Sequence, residues 1–384
     1  MKLKIFLIAI LSVSVSCHQL WAADRPQDLA IRAGKIWTVT DGVITDGVII
    51  IKNGKIDAVG KDPRIPGKAR VLDMQDKSVM PGLIDAHSHL GLSLDVFGEI
   101  DETVLPVTPD MRILDAFNPL GRDLKNALSS GVTTMLIAPG YRNPIAGQAT
   151  IVKLHGDDWL LKRSAGVKLS VGNEALMSDR EPTSRSGLMS LIREELDSGK
   201  EYGKGEFDPR REVLRSVVEG KTPVYIYCNT VDEIAAAREI IDEYKLKAVL
   251  VGVREGDEAA QAINCPVIYM PLLSLSRDKD LKRVSAIAGA GIKVAFASFA
   301  PGTDPYDLRT SAIIAVKYGL DPEVALKSLT INAAEILGIH QRVGSIEKGK
   351  DADLVILSGD PLEPTSGVEM VIINGEIVYQ RGGQ

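Results

Sequence analysis

The chain has 384 residues, of which 45% are hydrophobic and 25% are charged. Lys and Arg together number 45 and Asp and Glu together number 51, so the formal net charge is −6. This acidic balance argues against nucleic-acid binding as the main function, because nucleic-acid-binding domains usually carry a basic excess. The apolar content is also too high for a disordered chain.

The N-terminus has the pattern of a secretory signal peptide. Lys2 and Lys4 precede an apolar run over residues 5–15, and the small residues Ala22 and Ala23 follow. The run is shorter than the roughly 20 residues that a membrane-spanning helix needs. The sequence therefore predicts a signal peptide over residues 1–23 and a periplasmic or secreted protein. An N-terminal membrane anchor is the alternative.

Both ends of the remaining chain have the composition of β-strands separated by tight turns. Short apolar runs are interrupted by dipeptides such as Asn53-Gly54 and Asn374-Gly375, which favour the two-residue turns of β-hairpins. Neither end supplies enough strands for a stable sheet by itself. We therefore predict one composite β-sandwich domain, built from residues 24–80 and residues 341–384.

The middle of the chain alternates short apolar runs with amphipathic segments, which is typical of parallel α/β folds. Eight strands in about 260 residues match the usual size of a (β/α)8 barrel. An open doubly wound sheet is the alternative, but no Gly-x-Gly-x-x-Gly turn follows a strand. The predicted fold is therefore α/β, with a (β/α)8 TIM barrel over residues 81–340. The eight predicted strands are Val79–Asp85, Thr133–Ala138, Thr150–Leu154, Val167–Val171, Val224–Cys228, Ala248–Val251, Val267–Met270 and Val294–Ala297.

His87 and His89 stand at the end of the first predicted barrel strand. Side chains alternate along a strand, so residues two apart point to the same side. At the carboxyl end of a barrel strand, both imidazoles would face the mouth, where barrel enzymes hold their active sites. Neutral imidazole is a good zinc ligand, and the pair therefore predicts one edge of a metal site. Taken alone, His-x-His is also consistent with two surface histidines in a loop.

The residues around these histidines resemble a known family. The segment from Met80 to His89, MPGLIDAHSH, resembles the signature of the amidohydrolase superfamily, barrel enzymes that use bound metal to hydrolyse carbon–nitrogen bonds. Residues 325–338 and 343–355 are similar to the last barrel helix of that family and its return into the β-sandwich. The resemblance covers nearly all of residues 28–384 and is strongest to the imidazolonepropionase-like amidohydrolases. It implies a divalent metal cofactor, zinc before others.

The same resemblance implies metal ligands that this chain lacks. Members usually add a Lys or Glu from the fourth strand, histidines after the fifth and sixth strands, and an aspartate after the eighth strand that handles the proton of the attacking water. Tyr227, Gly252 and Phe299 stand where the last three ligands are expected. A catalytic zinc needs about three protein ligands plus water. Two histidines alone therefore fall short.

Four other residues are candidates to rebuild the site, with His155 and Asp157 as alternatives to each other. Glu174, at the predicted end of the fourth strand, and His155 (or Asp157 beside it), near the third, are candidate metal ligands. Asp304 is the candidate general base, because a carboxylate near a metal-bound water is well placed to take its proton. Each has a structural alternative: a solvated loop acid, an ordinary imidazole, or a helix cap.

Tyr227, Asn143 and Gln148 are candidate substrate-binding residues. Tyr227 ends the fifth predicted strand, and Asn143 and Gln148 belong to a segment that resembles a mouth loop of the family. The alternatives are a tyrosine that fills space in the core and a simple turn, since Asn-Pro and Gly favour turns. A different chemistry built on Tyr227 and Cys228 would need an electropositive partner for the thiol, and the sequence identifies none.

The resemblance predicts an exported amidohydrolase that acts on non-peptide or dipeptide-like C–N bonds with a metal-activated water. The alternative is a catalytically degenerate member, a pseudoenzyme that only binds a small molecule, because one barrel scaffold hosts many functions. The expected partner is a small-molecule substrate or ligand. We expect neither nucleic acid nor, after removal of the leader, a membrane as a partner, and the sequence leaves homo-oligomer formation open.

Overall fold

The computed structural model describes residues 28–92, 99–203, 206–273 and 275–383. The predicted signal peptide lies outside these ranges. In chain order the strands are β1 (Leu29–Trp37), β2 (Val43–Lys52), β3 (Lys55–Gly60), β4 (Arg70–Pro81), β5 (Leu83–Ser88), β6 (Val132–Ile137), β7 (Ile145–Lys153), β8 (Leu160–Ser170), β9 (Val224–Cys228), β10 (Ala248–Gly252), β11 (Val267–Tyr269), β12 (Val294–Phe296), β13 (Leu354–Leu357), β14 (Val368–Ile373) and β15 (Glu376–Gln380).

The α-helices of the same ranges lie mostly between the later strands of the middle region. Thr230 shows how one of them begins: its hydroxyl accepts from the amide of Glu233, whose carboxylate accepts in return from the amide of Thr230, a capping box. The helices are α1 (Leu124–Ser129), α2 (Arg185–Glu201), α3 (Pro209–Val218), α4 (Val231–Tyr244), α5 (Asp278–Gly289), α6 (Asp307–Lys317), α7 (Pro322–Ser328) and α8 (Ile331–Ile336). No helix in the described part of the chain is long and apolar enough to cross a membrane.

The two chain ends form one seven-stranded sheet, in the order β15-β14-β13-β4-β1-β2-β3. Its hairpins turn at the two predicted dipeptides. Asn53 and Gly54 have φ of 49° and 75°, and Asn374 and Gly375 have φ of 51° and 79°. Two consecutive positive φ angles are the requirement of a type I′ turn, which Asn-Gly meets with little strain. The prediction that both ends build one sheet is confirmed.

The middle of the chain forms a nearly closed eight-stranded barrel, with β5 to β12 in sequential order. The amide of Phe299, just after β12, donates to the carbonyl of His87 on β5 at 3.0 Å, which brings the last strand against the first. The predicted α/β barrel is confirmed, with one difference. β7 runs antiparallel to β6 and β8, because the short connections at 138–144 and 154–159 contain no helix and cannot make a parallel crossover.

Lys153 joins the barrel to the terminal sheet. It ends β7 at the amino-terminal end of the barrel, and its side chain is fully buried. Its Nζ lies 2.8 Å from a carboxylate oxygen of Asp351 and 2.9 Å from one of Asp353, and donates to the side-chain oxygen of Asn374. All three partners belong to the terminal sheet or the segment leading into it. The network therefore fixes the barrel against this sheet.

Candidate functional site

His87 and His89 lie together at the carboxyl end of β5. Their ring centroids are 5.0 Å apart and their planes cross at 89°. Nδ1 of His89 donates to the carbonyl of Ala138 at 2.8 Å, so Nε2 is the ring nitrogen without a proton. Burial lowers the pKa of His89 to about 4 and that of His87 well below its ordinary value. Both imidazoles are therefore neutral at neutral pH.

Lys168 projects from β8 onto the same point. Its side chain is fully buried, and Nζ lies 2.7 Å from Nε2 of His87, to which it donates. The ammonium also lies 5.5 Å from the ring centroid of Tyr227. Burial lowers the pKa of Lys168 to about 7, and Asp101 partly opposes that shift. Four strand ends, those of β5, β8, β9 and β12, therefore meet here, in what we call the barrel mouth.

Aromatic side chains occupy two of the positions where the resemblance implies metal ligands. Phe299 stacks on His87 with ring centroids 4.5 Å apart and planes 20° apart. Tyr227 stacks on Tyr141 at 4.5 Å, and its hydroxyl accepts from Nδ2 of Asn229 at 2.7 Å. Burial raises the pKa of Tyr227, so the phenol stays neutral and is a poor metal ligand. Gly252, at the third position, has no side chain.

The backbone at these substituted positions is strained. Phe299 has φ of 52° and Val253, directly after Gly252, has φ of 54°. Bulky and β-branched residues are rare in this left-handed region, and such outliers cluster at functional sites. The mouth thus keeps an unusual backbone at the ends of β10 and β12, although the side chains there offer no metal donor.

Asp85 ties the first and last barrel strands together below the mouth. One carboxylate oxygen accepts from the amide of Ser298 at 2.9 Å and the other from its hydroxyl at 2.5 Å. The side chain is fully buried, and burial raises its pKa to about 6 despite these hydrogen bonds. Asp85 therefore closes the barrel and orients the strand that carries His87.

Asp101 lies beside the mouth, in the long connection between β5 and β6. One oxygen accepts weakly from the amide of Arg142 at 3.4 Å, and the other is buried without a hydrogen-bond partner among the described residues. A Cβ atom at Gly140 would lie 2.1 Å from this carboxylate, so the glycine makes room for it. Burial raises the pKa of Asp101 to about 6. Asp101 also lines a cavity of about 450 Å³ together with Pro139.

The structure does not bring the other sequence-predicted catalytic and metal residues to the two histidines. His155 follows β7 at the opposite end of the barrel, where its Nε2 lies 3.0 Å from a carboxylate oxygen of Glu376. Glu174 is exposed and contacts the hydroxyl of Tyr227 at 3.5 Å. Asp304 is exposed and accepts from the amide of Tyr306 at 2.9 Å, as a turn-capping residue does.

The predicted substrate-binding residues have protein partners. Asn143 is fully buried; its Nδ2 donates to the carbonyl of Glu102 at 2.7 Å and its oxygen accepts from Arg180 at 2.6 Å. Gln148 donates to the carbonyl of Pro109 at 3.1 Å. Both side chains hold the β5–β6 connection over the barrel. Of the three residues, Tyr227 alone contacts the His87–Lys168 pair.

Sequence reasoning missed Lys168 and Asp101. Lys168 had a usable signal, because a lysine within the apolar run Val167–Val171 is unusual in a buried strand, and the resemblance implied a fourth-strand Lys or Glu. Asp101 had no signal, because it lies in a long connection whose path depends on the tertiary fold. A larger groove of about 750 Å³, between Trp37 and Leu326, contains none of the mouth residues.

Comparison with known proteins is consistent with this geometry. A model of the Amidohydrolase family matches residues 228–378. The crystal structure of an amidohydrolase from Thermotoga maritima MSB8 is 30% identical with a TM-score of 0.86, covering 92% of this chain and 100% of that one. An imidazolonepropionase from Thermoplasma volcanium is 24% identical over 89% of this chain and 92% of its own length. Amidohydrolase tasK from Hapsidospora irregularis is 26% identical over 91% of this chain, which spans 41% of that relative.

Proposed function

Because the chain belongs to the amidohydrolase superfamily, we propose that it hydrolyses a carbon–nitrogen bond of a small non-peptide or dipeptide-like substrate at the barrel mouth. The observation that carries the proposal is the convergence of His87, His89 and Lys168, three buried nitrogen side chains, at the carboxyl end of the barrel. This is the end where barrel enzymes hold their active sites. Membership of the imidazolonepropionase-like branch is part of the same proposal.

The divalent metal expected from the sequence does not fit the unmodified residues of this mouth. His89 has the orientation usual for a metal-bound histidine, because its other nitrogen is held by a backbone carbonyl. Nε2 of His87, however, already accepts from Lys168. Within the described ranges, no three His, Cys, Asp or Glu side chains form a group that could hold an ion. Two imidazoles are fewer than the three protein ligands of a catalytic zinc, so the proposed reaction uses this chain's own residues.

Asp101 is the proposed proton acceptor, in place of the Asp304 expected from the sequence. With a pKa of about 6, Asp101 is ionised at neutral pH and still basic enough to accept a proton from water. It interacts electrostatically with the buried Lys168. In the proposed reaction it takes the proton of the attacking water and returns it to the leaving nitrogen.

A turnover assay with matched variants tests this function. The purified chain is incubated with N-acyl amino acids, dipeptides, imidazolonepropionate and adenine, and the released amine or ammonia is measured. Asp101→Asn should lower turnover by about 100-fold or more, whereas Asp304→Asn should stay near the wild-type rate. Turnover should persist in EDTA. No turnover of any compound refutes the hydrolytic proposal, and equal losses in both variants contradict the assignment of Asp101.

Ligand binding without turnover is the second candidate function. It is favoured by the side chains of Tyr227 and Phe299 and the bare backbone of Gly252, which stand where the resemblance implies ligands for catalysis. Saturable binding of a panel compound that the chain never converts would support this function. Activity that disappears in EDTA and returns with zinc would contradict ligand binding without turnover. It would also contradict the conclusion that the residues of the mouth do not fit a metal.

We also propose that the chain is exported with residues 1–23 as a cleaved signal peptide. The support is the basic start, the short apolar run and the Ala22-Ala23 pair of the sequence. N-terminal sequencing of the protein recovered from a periplasmic fraction should begin at Asp24. A chain that keeps Met1 and sediments with membranes would contradict cleavage and favour an anchor.

A further inference from the structure

Lys153 and Lys168 are two buried lysines with different surroundings. Nζ of Lys153 has two carboxylates, those of Asp351 and Asp353, within 2.9 Å. Nζ of Lys168 has the neutral His87 at 2.7 Å, and among the described residues no carboxylate lies within ion-pair distance of it. One buried ammonium therefore has its counter-charge in the protein, whereas the other lacks one in the described part of the chain.

A buried ammonium without a paired anion is costly, because it loses its hydration and gains little in return. Asp101 acts on Lys168 only from beyond ion-pair distance. An anion arriving at Nζ would restore the missing counter-charge. The position is therefore preorganised for a ligand that carries negative charge.

Other groups of the mouth also lack partners. Nδ1 of His87 and the side-chain oxygen of Asn229 are buried without a hydrogen-bond partner among the described residues, and both residues are more than nine-tenths buried. Unsatisfied buried polar atoms are rare in native proteins and call for an explanation such as a bound ligand.

We propose that Lys168 binds the carboxylate of a small-molecule ligand, using the two N–H groups that its hydrogen bond to His87 leaves free. The inference rests on the proposed function only in placing the ligand at the same mouth, and it does not require turnover. A hydrogen bond between charged groups is typically stronger than a neutral one. A carboxylate should therefore bind more tightly than an uncharged molecule of the same shape.

Acetate and acetamide provide the test, because they share a shape and differ in charge. Thermal unfolding of the full chain is followed over a range of each compound at constant ionic strength. Acetate should raise the melting temperature of the wild type and acetamide should not. Lys168→Met should weaken acetate binding by about 10- to 100-fold. Lys162→Met is the matched control, since Lys162 lies on the same strand and bonds the carbonyl of Leu337 instead.

Equal effects of acetate and acetamide on the wild type would overturn the proposal, and so would undiminished acetate binding by Lys168→Met. If that variant does not fold, the wild-type comparison decides alone. A chain that hydrolyses amides but ignores acetate refutes the carboxylate site and leaves the hydrolytic function standing. A chain that binds acetate and converts no panel compound supports the carboxylate site and refutes the hydrolytic function.

Discussion

Replacing Lys153 by Met should be one of the most destabilising single changes at the junction of barrel and terminal sheet. The variant removes the ammonium that bridges Asp351 and Asp353, whose side chains are 4% and 3% exposed. Asp351 keeps Arg342 and Lys55 as partners. Among the described residues, the remaining partner of the Asp353 carboxylate is the amide of Asn374 at 2.8 Å. The change therefore leaves a buried carboxylate without a cation beside it.

Removing one partner of a buried ion pair typically costs about 3–5 kcal/mol, and we expect a loss of that size for Lys153→Met. Lys55→Met is the matched control. Lys55 contacts the same Asp351 at 2.7 Å, but its side chain is 55% exposed. Exposed pairs contribute about 0–1 kcal/mol. The two variants thus separate the effect of burial from the effect of the contact itself.

Urea unfolding followed by circular dichroism measures both losses. A Lys153→Met, Asp353→Asn double variant should recover part of the stability, because it removes the charge that the single variant leaves uncompensated. Burial by itself would raise the pKa of Asp351, but Lys153, Lys55 and Arg342 hold it at about 2. Its contribution to stability should therefore be present above pH 4 and be lost as pH falls toward 2. Equal losses for Lys153→Met and Lys55→Met would refute the reasoning.

Three further predictions concern the barrel itself. Burial raises the pKa of Asp85 from 3.8 to about 6, so the free energy of unfolding should fall by about 3 kcal/mol as pH rises from 4 to 6. In Asp85→Asn, urea unfolding should show no such fall over this pH range. The same fall in the variant would contradict the raised pKa of Asp85. Phe299→Asp combined with Lys168→Met should supply a third zinc donor and release Nε2 of His87, so that metal analysis after dialysis finds about one zinc per chain in the double variant, against none retained by the wild type. Stoichiometric zinc in the wild type would be the contrary result. Gly82→Ala would place a Cβ atom 2.1 Å from the hydroxyl of Thr133 and should lower the free energy of unfolding by about 1–3 kcal/mol. Gly67→Ala is the control, because its Cβ atom would meet nothing within 4 Å, and it should leave the free energy of unfolding nearly unchanged.

The fold was largely predictable because local signals and topology agreed. The two Asn-Gly dipeptides marked hairpins that the structure contains, and each predicted barrel strand overlaps one of β5 to β12. The third strand shows the limit of this reasoning. Its apolar run, Thr150–Leu154, was correctly assigned as a strand, but composition does not distinguish a parallel from an antiparallel neighbour. The short connections on either side, which lack a helix, decide its direction.

The candidate site was only partly predictable. The i, i+2 spacing of His87 and His89 placed both rings at one strand end, because alternation along a strand is a local property. Their neighbours come from distant parts of the chain: Lys168 lies 81 residues from His87. His155 shows the converse, since its strand position looked suitable and the antiparallel direction of β7 carries it to the other end of the barrel.

The amino-acid sequence by itself determined the alternation of strands and helices, the hairpin turns and the paired imidazoles, since each depends on residues close together in the chain. Only the tertiary structure decided that Lys168 donates to His87, that Phe299 covers the same ring, and that Asp101 rather than Asp304 lies beside the mouth. These contacts depend on how the barrel closes. Closure brings together residues that are far apart in the chain, and their separation in sequence does not predict their distance in space.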